Sequence, residues 1–126
     1  MNITAISITT RHPVACDPNR RLHWAKKASE TKAERQAAWA LWKGMSAGRT
    51  FRWPRCTVEI DWHAKDKRGI RDLDNTIACC KTVMDGAEDA GIYVNDRCIE
   101  SMTVKRAVTG KDEVTVTVRL AQGESK

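Results

Sequence analysis

Cys56-Thr57-Val58-Glu59-Ile60-Asp61-Trp62-His63 alternates apolar and polar side chains, the period of two expected of a strand with one buried face. From Leu73 the period changes. Ile77, Cys80, Met84 and Ala87 recur at intervals of three and four, which places them on one face of a helix running to about Ala90. Asp72 is suited to cap that helix at its start, and Gly91 to cap it at its end. Between strand and helix lies the basic loop Lys65-Asp66-Lys67-Arg68-Gly69-Ile70-Arg71. A strand feeding through a cationic loop into an amphipathic helix is therefore the centre of the domain.

Towards the N-terminus, Ile3, Ala5 and Ile8 give an imperfect alternation that reads as a first strand ending before Arg11-His12-Pro13, followed by a turn-rich stretch through Arg21. From Thr31 to about Ala47, Ala33, Ala37, Leu41 and Met45 recur every four residues, and Thr31-x-x-Glu34 has the spacing of a capping box. Trp39 and Trp42 on this helix read as core or rim packing residues, with base stacking as the alternative. Towards the C-terminus, Ile99 to Ala107 and Glu113 to Leu120 read as two strands around Thr109-Gly110-Lys111. The second is the clearer, with Val114, Val116, Val118 and Leu120 alternating against Thr115, Thr117 and Arg119. The order strand, helix, strand, helix, strand, strand predicts an α+β fold, a single small domain over 1–121 with two main helices on a mixed sheet. Residues 122–126 are expected to be a frayed tail.

A length of 126 residues suits one domain, and 41% hydrophobic with 30% charged residues suits a globular chain. No apolar run approaches the roughly 20 residues needed to span a bilayer, and Met1-Asn2-Ile3-Thr4 lacks the regions of a signal peptide, so a cytoplasmic location is expected. The five cysteines, Cys16, Cys56, Cys79, Cys80 and Cys98, are odd in number and contain no C-x-x-C. They read as small buried hydrophobes in a reducing compartment. The net charge of +6 and pI near 9.3 suit a polyanionic partner. Basic residues gather at Arg20-Arg21, Lys26-Lys27, the loop with Lys67, Arg68 and Arg71, and Lys105-Arg106.

The basic loop runs directly into Asp72-Leu73-Asp74-Asn75, and Asp96 lies beyond the helix in Val94-Asn95-Asp96. Carboxylates beside cations are what a phosphate backbone and its cleavage site require together. Clustered carboxylates repel one another, and a hard divalent ion such as Mg²⁺ or Mn²⁺ relieves that repulsion while taking oxygen ligands. The plain alternatives are an N-cap at Asp72 and a turn at Asn95-Asp96. A helix of about 17 residues spans roughly 26 Å, so Asp96 must return along the sheet to meet the other two, and Gly91 permits the reversal. Lys81 follows Asp74 by seven residues, which on an ideal helix places it on the same face, where it serves either as an ordinary surface lysine or as a neutraliser of phosphate charge. An EF-hand fails, because Thr76 and Ile77 occupy positions that need Asp or Asn and Gly. The string Asp72-x-Asp74-x-Thr76 also mimics the opening of haloacid-dehalogenase-like phosphatases, but a basic loop precedes it where that family has a buried apolar strand.

Arg71-Asp72-Leu73-Asp74-Asn75, then Lys81 and Asp85, then Ala90-Gly91-Ile92 and Asn95-Asp96, together resemble the signature of the RusA family, small Holliday-junction resolvases of bacteria and prophages. Pro18-Asn19-Arg20-Arg21-Leu22-His23-Trp24 is similar to that family's Asn/Arg-containing loop. The resemblance implies a homodimer that cuts four-way DNA junctions with Mg²⁺ or Mn²⁺ in recombination and repair. It implies metal-binding catalytic roles for Asp72, Asp74 and Asp96, a catalytic basic role for Lys81, and support of DNA or active-site geometry by Arg71 and Asn75. Lys67, Arg68, Arg20 and Arg21 are expected to contact DNA. Two departures stand out: Asn75 and Lys81 are further apart than in the best-known members, and Asn95 replaces a frequent second aspartate. A non-catalytic branched-DNA-binding protein and a nuclease for other branched DNA are the alternatives.

Overall fold

The strand Cys56–Ala64, here β2, is central in the computed structural model, which describes residues 3–21 and 23–121. Leu22 and the tail 122–126, for which fraying is expected, lie outside the described residues. The remaining elements are β1 (Ala5–Thr10), α1 (Trp24–Met45), α2 (Leu73–Cys79), α3 (Lys81–Asp89), β3 (Ile99–Val108) and β4 (Glu113–Leu120), with short 3-10 turns at Lys67–Gly69 and Asp96–Cys98. The strands form one mixed sheet in the order β1-β4-β2-β3: β1 and β2 run antiparallel to β4, and β3 runs parallel to β2. The expected α+β fold is present.

Register sorts the sheet into two faces. Val58, Ile60 and Trp62 stand opposite Val118, Val116 and Val114, with Ile6 and Ile8 continuing the same rows, and all are buried. Ala38, Trp42, Val83 and Ala87 of the helices close this apolar side. The other face is polar, with Ser7 and Thr9 hydrogen-bonded across to Thr117 and Thr115. Burying one face and wetting the other is what the period-two pattern of β2 and β4 dictates.

The helices depart from the expected boundaries. α1 begins seven residues before Thr31, capped by the His23 ring, which accepts from the Ala25 N–H. Thr31 is therefore inside the helix, and Glu34 makes no capping box; its carboxylate accepts the Val14 and Ala15 N–H groups and the Thr82 hydroxyl. Ala33, Ala37, Leu41 and Met45 are exposed, while Ala38 and Trp42 are buried. α1 and α3 touch where Gly86 meets Ala38; a Cβ on Gly86 would lie 2.6 Å from the Ala38 Cβ. The single helix expected from Leu73 to Ala90 is broken at Cys80 into α2 and α3. Gly91, at φ 79°, ends α3 as expected: its N–H reaches Glu88 O and that of Ile92 reaches Ala87 O, the paired bonds of a Schellman cap. No described helix is long and apolar enough to cross a membrane.

Candidate active site

Strand direction decides where the acidic residues fall. β2 delivers the chain through the Lys67–Gly69 turn to Asp72, so Asp72 and Asp74 follow the C-terminal end of β2. Because β3 runs parallel to β2 and begins just after Asp96, Asp96 sits at the opposite end of the strand pair. Nine strand residues span about 30 Å, and α2 and α3 bridge that length on their way back. Asp96 thus lies across from the second half of the bridge.

A cavity of about 520 Å³ marks the meeting point. Lys81, Asp85 and Asp96 line it together with the apolar Ile77, Met84 and Met102. Lys81 Nζ lies 3.3 Å from Asp85 Oδ1, one turn away on α3. Ala78 also lines the cavity, and Asp74 is four residues earlier on the same helix, so Asp74 stands on the same face about one turn, 5.4 Å, nearer the helix start. The structure therefore brings Lys81 and Asp96 together and adds Asp85, while Asp72 and Asp74 stand apart in the first turn of α2. The break at Cys80 falls within the lengthened Asn75-to-Lys81 spacing, which is why ideal-helix arithmetic from Asp74 to Lys81 does not carry across it.

Asp72, Asp74 and Asp96 are exposed and make no ion pair among the described residues. Oxygen donors of this kind suit a hard cation. No group of three His, Cys, Asp or Glu side chains among the described residues is close enough to hold one. Mg²⁺ commonly takes only one or two protein carboxylates and completes its shell with water and phosphate. Asp72 and Asp74 fit that open arrangement, and a closed three-carboxylate cage is not formed. The Asn95 side-chain Oδ1 accepts the Arg97 N–H at 2.9 Å, so it serves as a local cap.

Arg71 anchors the loop that presents Asp72. One of its Nη atoms lies 2.6 Å from the buried carboxylate of Asp17, and its guanidinium sits over the Trp62 ring, which stacks on His12 at 3.9 Å. Its Nε is buried with no hydrogen-bond partner among the described residues, and its carbonyl accepts from Arg106. Trp62 in turn donates to Gly69 O. Asp17 also accepts the Asn19 N–H, so one carboxylate ties the N-terminal Asn/Arg loop to the start of α2. Sequence reading missed Asp17, and its only local signal is the turn-forming Asp17-Pro18 pair.

The other expected DNA contacts divide in two. Arg20 is spent inside the fold on Glu30 and Val14 O. Lys67 and Arg21 are exposed, Asn75 is half-buried, and Arg68 projects to solvent while pairing with Asp66. The Arg68 side chain, followed by its backbone N–H, holds the Asp66 carboxyl below its usual range. Three of the five thiols are buried as expected and unsuited to nucleophilic work, since burial pushes Cys56 and Cys79 up to about 11 and Cys80 to about 12, while Cys16 and Cys98 are half-buried.

A family model described as endodeoxyribonuclease RusA matches residues 9–119. Among curated proteins, none matches the chain.

Proposed function

The chain belongs to the RusA family of endodeoxyribonucleases, and from that premise we propose that it is a Mg²⁺-dependent resolvase that hydrolyses phosphodiester bonds of four-way DNA junctions in recombination and repair. The observation that carries this reading is the cavity lined by Lys81 and Asp85 of α3 and by Asp96, with Ala78 of α2 on the same lining and Asp74 one turn before Ala78. Carboxylates beside a lysine on one cavity lining, with the basic loop leading into the start of α2, suit a phosphate backbone. In this reading Asp72 and Asp74 hold the ion and Asp96 is the third carboxylate, on the neighbouring cavity wall. An ion held by Asp72 and Asp74 would supply a water of lowered pKa and neutralise charge at phosphorus. Lys81, set by Asp85, takes charge that develops on the phosphate. Arg71 holds the loop geometry and Arg20 ties its own loop to Glu30 and Val14 O, while Asn75, Lys67, Arg68 and Arg21 flank the DNA path. Mn²⁺ substitutes for Mg²⁺, since both accept oxygen ligands.

The protein acts as a cytoplasmic homodimer, because a two-fold junction needs paired cuts and a two-fold assembly supplies two equivalent sites. Incubation of wild type and Asp72→Asn with four-way, flap and linear DNA in Mg²⁺ tests the reading. Wild type cuts the four-way junction in preference, and Asp72→Asn binds it without cutting. Equal cleavage of linear duplex removes the junction assignment, and cutting of flaps alone moves it to other branched DNA. Binding by a wild type that never cuts identifies a non-catalytic binder.

A further inference from the structure

Trp24 is 77% exposed although it lies on the packing face of α1. Trp24, Ala28, Thr31, Arg35, Ala38 and Trp42 form one helical stripe, of which Ala38 and Trp42 are buried against α3. α1 spans about 33 Å and α3 only about 13 Å, so the first turns of α1 overhang the body and leave the indole uncovered. The surface around it is a shallow depression of about 500 Å³, lined by Trp24, Lys27, Ala28, Thr31, Lys32 and Arg35. Lys27 and Lys32 make no ion pair among the described residues. The acidic residues of this part of α1 do not neutralise them: Glu30 is turned to Arg20, and Glu34 to Val14, Ala15 and Thr82.

We propose that Trp24, with Lys27 and Lys32, is a stacking platform for a nucleobase whose face is exposed at a DNA branch point. The proposal rests on the branched-DNA reading above and deepens it by naming how a branch is told from a linear duplex, in which every interior base face is covered. An indole offers stacking to any base, and flanking ammonium groups suit the phosphates on either side. A second copy of the chain seated here about a two-fold axis would bring Lys27 and Lys32 against their own counterparts, which charge opposes. One ion pair links the platform to the candidate active site. Arg35 lines the depression and pairs with Asp85, which lines the cavity holding Lys81 and Asp96.

Binding of a synthetic four-way junction and of a linear duplex, measured without divalent metal so that nothing is cut, tests the platform. Trp24→Ala is expected to weaken junction binding by roughly 5- to 100-fold, the range of base–aromatic stacking, with linear binding changed less than about twofold. Trp24→Phe retains most of the affinity. Lys27→Gln with Lys32→Gln weakens both DNAs alike and flattens the salt dependence by a slope of about one to two. The platform is overturned if wild type prefers the junction and Trp24→Ala keeps the same preference, or if both affinities fall together. It is equally overturned if Trp24→Ala dissociates a dimer, since the indole then belongs to a subunit contact. A wild type with no preference for branched DNA sinks the underlying reading as well.

Discussion

Replacing Asp17 by Asn isolates a single interaction. The amide keeps an oxygen for the Asn19 N–H, at 2.9 Å in the structure, but loses the charge that faces Arg71 at 2.6 Å. Removing one partner of a sealed ion pair costs about 3–5 kcal/mol because the other charge is left buried. Here the Asp17 side chain is 4% exposed and that of Arg71 26%, so water reaches one member and takes up part of the loss. The Arg71 Nε has no hydrogen-bond partner among the described residues, so the Asp17 contact is the guanidinium's main polar anchor there. A cost of about 2 kcal/mol follows, or about 8 °C in Tm for a chain of this length. Thermal melts of Asp17→Asn, Arg71→Ala and the double variant measure it, with a coupling of about 1–2 kcal/mol expected from the cycle. Junction cleavage should fall further than stability alone explains at a temperature where the variant is folded, because Arg71 immediately precedes Asp72. A Tm within about 2 °C of wild type, or additive single variants, would refute the anchoring of this loop by Asp17.

Gly86→Ala places a methyl 2.6 Å from the Ala38 Cβ, 2.9 Å from Trp39 N and 3.0 Å from Arg35 O. Two of these are backbone, so α1 and α3 must part. Overpacking of about 1–3 kcal/mol outweighs the helix-propensity gain of about 1 kcal/mol, and urea denaturation should show a net loss. Lys81→Gln should lower the cleavage rate about 100-fold yet leave Tm within about 2 °C, since an exposed i,i+4 pair contributes only about 0.5 kcal/mol; an equal loss of both would make Lys81 structural. Burial raises the thiol pKa values of Cys56, Cys79 and Cys80 above their ordinary 9.0. Their contribution to stability is therefore complete below about pH 9 and is lost as pH rises towards 11–12. Urea midpoints should decline across that window, and a flat profile would contradict thiol burial.

Much of the fold was legible because burial of one face writes itself into alternation. β2 and β4 appear at their expected places, and Asp72 and Gly91 bound the second helical segment. α1 was not, for a compositional reason. Ala and Leu occur around its whole circumference, so a period-four series can be drawn along several faces, and the one through Ala33, Ala37, Leu41 and Met45 is exposed. The true face is fixed by distant residues, Gly86 against Ala38 and Val83 O accepting from the Trp42 indole. In β1, Ile6 and Ile8 are buried and Ala5 stands off their row, while the expected Ile3 packs against the edge of the core. The turn at Thr109-Gly110-Lys111 gives no hint that β2 lies between β3 and β4.

The candidate site divides along the same line between local and non-local causes. Asp72 and Asp74 owe their places to a helix start, which a few neighbouring residues specify. Asp96 owes its place to whether β3 runs parallel or antiparallel to β2, which no local pattern specifies. After Gly91 the chain is stitched to the segment before β2, with Arg52 and Trp53 N–H groups donating to Gly91 O and Ile92 O and the Val94 N–H to Trp53 O. Those bonds oblige β3 to start where β2 starts, so the reversal permitted by Gly91 takes β3 back beside the helices only after Asp96 has passed. Asp96 is consequently set opposite Lys81 and Asp85, the end of the groove away from Asp72. In the proposed function, a phosphate path from the basic loop to Asp96 runs along α2 and α3, past Asp74 first and Lys81 second. That order makes Lys81 the residue between the two carboxylate positions, and it is the reason its loss is expected to affect cleavage with so little effect on stability.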